Sequence, residues 1–129
     1  MKSLFLIAAA VCLVLTGCGE PNLDASDLDD PKTLDKILSE ATHSAQVLAR
    51  GPEGAKICYV PNSHVPYTGW VKEMYANEQV KELGHYKDGK LDGHGTEWHE
   101  NGRKKEETHW KDGNLVSETT WDENGNRIK

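Results

Sequence analysis

The stretch KELGHYKDGKL at residues 81–91 decides the fold, because it recurs as KEETHWKDGNL at residues 105–115. A second series, WHENGR at residues 98–103, returns as WDENGNR at residues 121–127, at nearly the same interval. This period of about 24 residues lies in the range, about 20 to 50 residues, that indicates arrays in which each unit buries its apolar face by stacking on its neighbours. Each period holds two short segments, so the sequence predicts a repeated β-hairpin.

Four dipeptides mark the predicted turns: Asp88-Gly89, Asn101-Gly102, Asp112-Gly113 and Asn124-Gly125. Such pairs tolerate the positive φ angles of tight hairpins, and their regular, close spacing along the chain is typical of a meander. An aromatic residue precedes each pair and a leucine follows both Asp-Gly pairs, which predicts cross-strand packing of Tyr86, Trp98, Trp110, Trp121, Leu91 and Leu115. We therefore expect a mainly β fold, an antiparallel meander of six or seven strands in a single sheet over residues 55–129.

From Pro61 to Lys129 the chain resembles MORN-repeat-variant proteins, the YwqK family of bacterial antitoxins. The resemblance rests on PYTGW at residues 66–70 leading into Tyr75, on KDGKLDG at residues 87–93 with Trp98, and on the two Glu-Asn-Gly turns. It implies MORN-like β-hairpin repeats. By the family label it also implies a toxin-neutralising or protein-binding role.

The first residues predict the compartment. Lys2 precedes an apolar run from Leu4 to Leu15, which is too short for a stable membrane-spanning helix and long enough for a signal-peptide core. The run ends in Leu15-Thr16-Gly17-Cys18, which resembles the lipobox of bacterial lipoproteins. That resemblance implies a signal peptide over residues 1–17, cleavage before Cys18 and lipidation of Cys18. The alternative is an ordinary signal peptide or an uncleaved anchor, with Cys18 an incidental small hydrophobe.

A diacylated cysteine would tether the domain to the membrane without spanning it. Gly19 stands where Gram-negative lipoproteins retained in the inner membrane would carry aspartate. We therefore expect a cell-envelope protein on the outer membrane, facing the periplasm.

Between the lipid site and the repeats, the sequence predicts a spacer and one helix. Residues 18–30 are polar and acidic with few apolar side chains, so we expect a flexible tether. Asp30 and Pro31 are suited to begin a helix, and Gly51-Pro52 to end it. Between them six apolar residues follow the helical period and predict an amphipathic helix over residues 31–51: Leu34, Ile37, Leu38, Ala41, Ala45 and Leu48. We expect this helix to cover one end of the sheet; the alternative is that it binds a partner.

Charge and cysteine content exclude some classes of partner. Without residues 1–17 the chain has 14 basic and 21 acidic residues, a formal charge of −7, which argues against a nucleic-acid partner. Removal of the signal peptide and lipidation of Cys18 would leave only Cys58. We expect Cys58 to be a buried small hydrophobe rather than a reactive thiol or a dimer disulfide.

No catalytic motif is apparent, so we expect no enzyme and no cofactor. His85 and His109 hold equivalent repeat positions and could share a sheet face, but a zinc site needs three or four ligands, so we expect no metal. Glu106 and Glu107 should point to opposite faces of their strand, which spoils them as a catalytic pair. The expected function is a lipid-anchored, non-enzymatic envelope module that binds a protein or an envelope polymer. Two alternatives remain: an antitoxin or immunity-type protein that neutralises a cognate toxin, and an enzyme with a site on the His-rich strands.

Overall fold

A computed structural model describes residues 25–53, 55–60 and 62–129. The predicted signal peptide, the lipidation site Cys18 and the first part of the predicted tether lie outside these residues. A short 3₁₀ helix over Ala25–Asp29 comes first, and a second one spans Ser44–Gln46. The other elements are one α-helix and eight strands: α1 (Pro31–Glu40), β1 (Thr42–His43), β2 (Leu48–Arg50), β3 (Ile57–Tyr59), β4 (Gly69–Met74), β5 (Val80–Lys87), β6 (Lys90–Trp98), β7 (Lys104–Lys111) and β8 (Asn114–Thr120).

The main sheet has six strands in the order β1-β4-β5-β6-β7-β8. Strands β4 to β8 form an antiparallel meander, and β1 is added parallel to β4 at one edge. The prediction of a mainly β meander with one helix near its start is therefore confirmed. Strands β2 and β3 pair with each other in a separate two-stranded sheet, which the sequence did not predict.

The predicted turns occur at all four positions. Asp88 and Gly89 have φ angles of 50° and 78°, and Asp112 and Gly113 have 49° and 81°, as a two-residue type I′ turn requires. At the two Asn-Gly turns the glycine has a positive φ and the asparagine does not. In the first of these, Gly102 N–H donates to the His99 carbonyl oxygen, which is the type I turn with a glycine bulge that longer hairpin loops use.

The predicted helix over 31–51 is wrong in its second half. Asp30 caps α1 through Thr33 N–H at 2.9 Å, as its sequence indicates, but α1 ends at Glu40. Thr42 and His43 then pair in parallel with Val71 and Lys72, so backbone groups that could have continued the helix bond to the sheet edge instead. The apolar period continues through residues 41–48, yet sheet pairing overrides it.

The predicted tether over residues 18–30 is also wrong at its C-terminal end. Residues Ala25–Asp29 form a 3₁₀ helix, and Leu28 is only 3% exposed. The Asp29 carboxylate lies 2.7 Å from Lys104 Nζ on the sheet. Burial of Leu28, which contributes about 2 kcal/mol, and the contact of Asp29 with Lys104 both hold this acidic segment on the sheet.

The core lies between α1, the first 3₁₀ helix and one face of the main sheet. The sheet contributes Leu83, which is fully buried, and Trp98, which is 7% exposed. Leu28, Ile37 and Ala41 pack onto them from the helical side. The helix thus packs against the sheet, on one of its two faces.

Candidate functional site

The candidate site is the groove between the β2–β3 hairpin and the Asp-Gly turns of the main sheet. Strand β3 crosses the Asp88–Gly89 turn: Cys58 N–H donates to the Gly89 carbonyl oxygen at 2.9 Å, and Gly89 N–H donates to the Tyr67 carbonyl oxygen at 2.7 Å. A Cβ atom on Gly89 would lie 2.3 Å from the Ile57 Cγ2 atom. Position 89 therefore needs glycine both for its positive φ and for the close approach of β3.

A cavity of about 590 Å³ opens beside this contact. The β2–β3 hairpin and its connection form one wall, and the two Asp-Gly turns with strands β5 and β6 form the other. Its lining includes Ile57, Cys58, Tyr86, Leu91, Asp112 and Gly113. The cavity thus extends from the Asp88–Gly89 turn, which β3 crosses, to the Asp112–Gly113 turn.

The interior of the cavity is uncharged. Burial raises the pKa of the Cys58 thiol, and burial next to Cys58 raises the pKa of Tyr86 to about 12. Both groups are therefore protonated near neutral pH, and Cys58 is buried, as predicted from the sequence. Exposed charges stand at the rim on Lys56, Lys90 and Asp112. The arrangement suits an apolar side chain and offers no activated nucleophile.

Each of the two Asp-Gly turns is held by a side-chain oxygen of the residue 20 positions earlier in the chain. Asp88 N–H donates to the Thr68 hydroxyl at 3.0 Å, and Asp112 N–H donates to Asp92 Oδ2 at 3.0 Å. The bond from Asp112 lowers the pKa of Asp92, because it stabilises the carboxylate. Gly113 N–H in turn donates to the Leu91 carbonyl oxygen at 2.8 Å, as Gly89 does to Tyr67. This repetition holds both turns in fixed positions along one end of the sheet.

Three strand histidines, His85, His94 and His109, form a row on the face of the sheet that α1 covers. His85 and His109 share a sheet face, as predicted, and His94 stands on the strand between them, in register with His109. The rings of His94 and His109 are 4.7 Å apart between centroids, and His85 packs edge-on against Trp70. The sequence reasoning missed His94 because the glycines at 93 and 95 hid its strand position.

Two buried polar atoms in this region have no hydrogen-bond partner: His109 Nδ1 in the row and Thr96 Oγ1 beside it. A catalytic or metal site at these two atoms would need further polar side chains that point toward them. Within residues 25–53, 55–60 and 62–129, no three His, Cys, Asp or Glu side chains are grouped so that they could hold a metal ion. Among the described residues, the row therefore does not form the ligand set of a metal.

The other face of the sheet carries four glutamates directly opposite one another. Glu73 pairs with Glu82, Glu82 with Glu97, and Glu97 with Glu106. Lys81 and Lys105, at equivalent repeat positions, neutralise Glu73 at 2.9 Å and Glu97 at 2.5 Å; both are surface ion pairs. Desolvation by the surrounding side chains raises the pKa of Glu82, and the neighbouring Glu97 raises it further. Like charges directly opposite one another destabilise a sheet, so this row of glutamates lowers the stability of the folded repeats.

The predicted site residue, Cys18, lies outside the described residues, so the structure does not bear on its lipidation. Among the residues that are described, no helix combines the length and the apolar character needed to cross a bilayer. The sequence reasoning missed the groove, because it placed Leu48 and Ala49 on a helix rather than on β2. The short apolar run Ile57-Cys58-Tyr59-Val60, between Lys56 and Pro61, was the available signal for β3.

In comparisons with known proteins, no family model, no curated protein and no solved structure matches this chain.

Proposed function

We propose that this protein is a lipid-anchored, non-enzymatic protein of the cell envelope whose β-hairpin repeats bind another protein. The observation that carries the proposal is the groove beside β3, with its uncharged interior and charged rim. Protein-binding surfaces combine an apolar centre with a polar rim in this way. Concave sites of this size also hold small ligands, but those are oriented by several converging polar groups, and here the Tyr86 hydroxyl already has Cys58 as a hydrogen-bond partner.

The surface next to the groove supports the same conclusion. Leu48 on the hairpin is 43% exposed, and Leu115, which pairs with Trp110 at the start of β8, is 47% exposed. These side chains belong to the hairpin and to the strand that follows the second Asp-Gly turn, the two elements that flank the groove. An apolar surface rimmed by charge is a common sign of a protein contact.

The proposed anchor is the lipid on Cys18. Cys18 precedes Ala25, the first described residue, by seven residues, and an extended chain spans at most about 3.6 Å per residue. The folded domain then stays within about 25 Å of its lipid, because the tether is shorter than the sequence predicted. Asp29 pairs with Lys104, at the end of β7 away from the Asp112–Gly113 turn, so on the outer membrane the groove would lie at the end of the domain away from the tether, where a periplasmic partner could be reached.

Photocrosslinking in the host cell tests the function. A benzophenone amino acid is placed in the groove at Lys56 or Asn114, and at Asn124 in the opposite turn as the matched control. We expect one discrete protein adduct from the groove positions, no adduct from Asn124, and a reduced yield when Cys18→Ala removes the lipid site. Equal adducts from all three positions, or none, would contradict the proposal. An adduct with a toxin whose growth arrest this protein relieves would identify the binding as that of an antitoxin.

A further inference from the structure

The two Asp-Gly turns are equivalent in sequence and backbone, yet only the first is covered. Gly89 is buried under β3, and Gly113, its equivalent in the next repeat, is exposed. The same difference holds for the leucines that follow the turns: Leu91 is half-buried, and Leu115 is 47% exposed. The chain therefore shows one docking surface occupied and a second copy of it open.

The occupied copy shows what kind of ligand this surface takes. The ligand is an extended strand, Ile57–Tyr59, that gives one backbone N–H to the Gly89 carbonyl oxygen. Its small central side chain, Cys58, faces Tyr86 closely enough to affect the pKa of the Tyr86 hydroxyl. Recognition thus uses two main-chain hydrogen bonds, from Cys58 N–H to the Gly89 carbonyl oxygen and from Tyr67 N–H to the Cys58 carbonyl oxygen at 2.8 Å, and one small apolar side chain against an aromatic residue.

The open copy offers the equivalent carbonyl oxygen, that of Gly113, and the equivalent aromatic residue, Trp110. Among the described residues, none donates a hydrogen bond to the Gly113 carbonyl oxygen. Trp110 stands where Tyr86 stands in the first copy, is only half-buried, and pairs with Leu115 across the hairpin. Asp112, Gly113 and Asn114 line the same cavity as Ile57 and Cys58, so a strand bound here would lie alongside β3.

A further repeat placed beside β8 would lack one of the contacts that join the existing repeats. In the first two copies, Thr68 and Asp92 each supply a side-chain oxygen to the N–H of the next turn. The equivalent position in the following repeat is Val116 on β8, which has no such oxygen. The edge of β8 therefore lacks the contact that joins one repeat to the next.

We propose that the Asp112–Gly113 turn binds an extended segment of the partner protein in the way that the first turn binds β3. The segment gives a backbone N–H to the Gly113 carbonyl oxygen and places a small apolar side chain against Trp110 and Leu115. This inference rests on the proposed protein-binding function and adds the class of ligand, an extended peptide with small and branched apolar residues.

The test uses a synthetic peptide with the sequence of residues 55–60 and the change Cys58→Ala, titrated into the folded domain and followed by amide NMR shifts. We expect saturable shifts at Gly113, Trp110 and Leu115 and none at Gly102. Leu115→Lys should weaken binding at least about tenfold, because it places a charge at the apolar contact. Ile128→Lys, at a residue 69% exposed outside the groove, is the matched control and should bind like the parent.

The outcomes separate this inference from the function on which it rests. Shifts confined to Gly89 and Ile57 would mean that the peptide displaces β3, and the absence of saturable shifts would mean that the open turn does not take a strand; either result overturns the inference. If groove crosslinks to a partner are nevertheless found, the protein-binding function stands without it. If crosslinks fail while the peptide binds at Gly113, the turn is a peptide site and the proposed function is the part that is wrong.

Discussion

The Asn101 side-chain amide donates a hydrogen bond of 2.9 Å to the Glu123 carbonyl oxygen, and so ties the turn after β6 to the turn after β8. Asn77 makes the equivalent, longer contact of 3.5 Å to the Glu100 carbonyl oxygen one repeat earlier. At the other end of the sheet, side chains of one repeat accept from the next turn. The repeats are thus joined at both ends by side-chain contacts between turns, in addition to the strand hydrogen bonds.

The first prediction concerns this contact between turns. Asn101→Ala removes the bond to Glu123 and the bond that Asn101 Oδ1 accepts from Arg103 N–H at 2.9 Å. We expect the free energy of unfolding to fall by about 1–2 kcal/mol, since each such bond contributes about 1 kcal/mol. Urea unfolding measures it. Asn124→Ala, in the last turn, is the control and should cost clearly less; equal losses would contradict a role for the link.

The second prediction concerns Glu78, which has a φ of 65° at the position where the equivalent turn has Gly102 at 81°. A non-glycine residue in this region costs about 1–2 kcal/mol, and glycine recovers part of it. We expect Glu78→Gly to raise stability by about 1 kcal/mol, measured as a higher urea midpoint. The reciprocal change Gly102→Glu should lower it by a similar amount. A loss of stability in Glu78→Gly would show that the glutamate side chain has a compensating contact.

The third prediction tests the folded segment before α1. Leu28 is 3% exposed and packs in the core, so Leu28→Ala should cost about 2–5 kcal/mol. Thermal or urea unfolding of the domain gives the value. Val65→Ala changes a residue that is 71% exposed and should have little effect. If Leu28→Ala behaved like the control, residues 25–29 would be part of the tether after all.

The fourth prediction concerns the row of glutamates. The pKa of Glu82 and the pKa of Glu106 are raised above the ordinary 4.5, mainly by desolvation and then by facing carboxylates. The folded state then binds protons more tightly than the unfolded state, so these two groups favour folding most below pH 4.5. Their contribution is lost as the pH rises through the raised pKa values.

The measurement compares the parent with the double variant Glu82→Gln and Glu106→Gln from pH 4 to pH 7. We expect the variant to gain stability relative to the parent as the pH rises, because neutral amides do not repel Glu97 and Glu73. Glu100→Gln, at an exposed turn, is the control and should leave the pH profile unchanged. A constant difference between double variant and parent at every pH would contradict the repulsion.

The sequence predicted those features that depend on neighbouring residues. An Asp-Gly pair adopts positive φ angles at both residues because of its own side chains, so Asp88-Gly89 and Asp112-Gly113 could be placed without the fold. The repeat period then predicted which strands pair and that His85 and His109 share a face. The helix start at Asp30 and Pro31 is local in the same sense, because the cap bonds to Thr33, a neighbour in the first helical turn.

Other features depended on partners far along the chain. Residues 41–48 fit a helical period, and only pairing of Thr42 and His43 with β4 ends the helix at Glu40. Leu28 lies in an acidic segment, and only the presence of Leu83 and Trp98 beneath it makes burial favourable. The groove itself needed β3 to lie on a turn about 30 residues later, a contact that no local pattern specifies.

By itself, then, the sequence determined the repeat, its turns and the antiparallel meander of β4 to β8, because these follow from short-range backbone preferences. The tertiary structure alone decided where the helix stops, which spacer residues fold and which of two equivalent turns stays open, because these depend on long-range burial and hydrogen bonding.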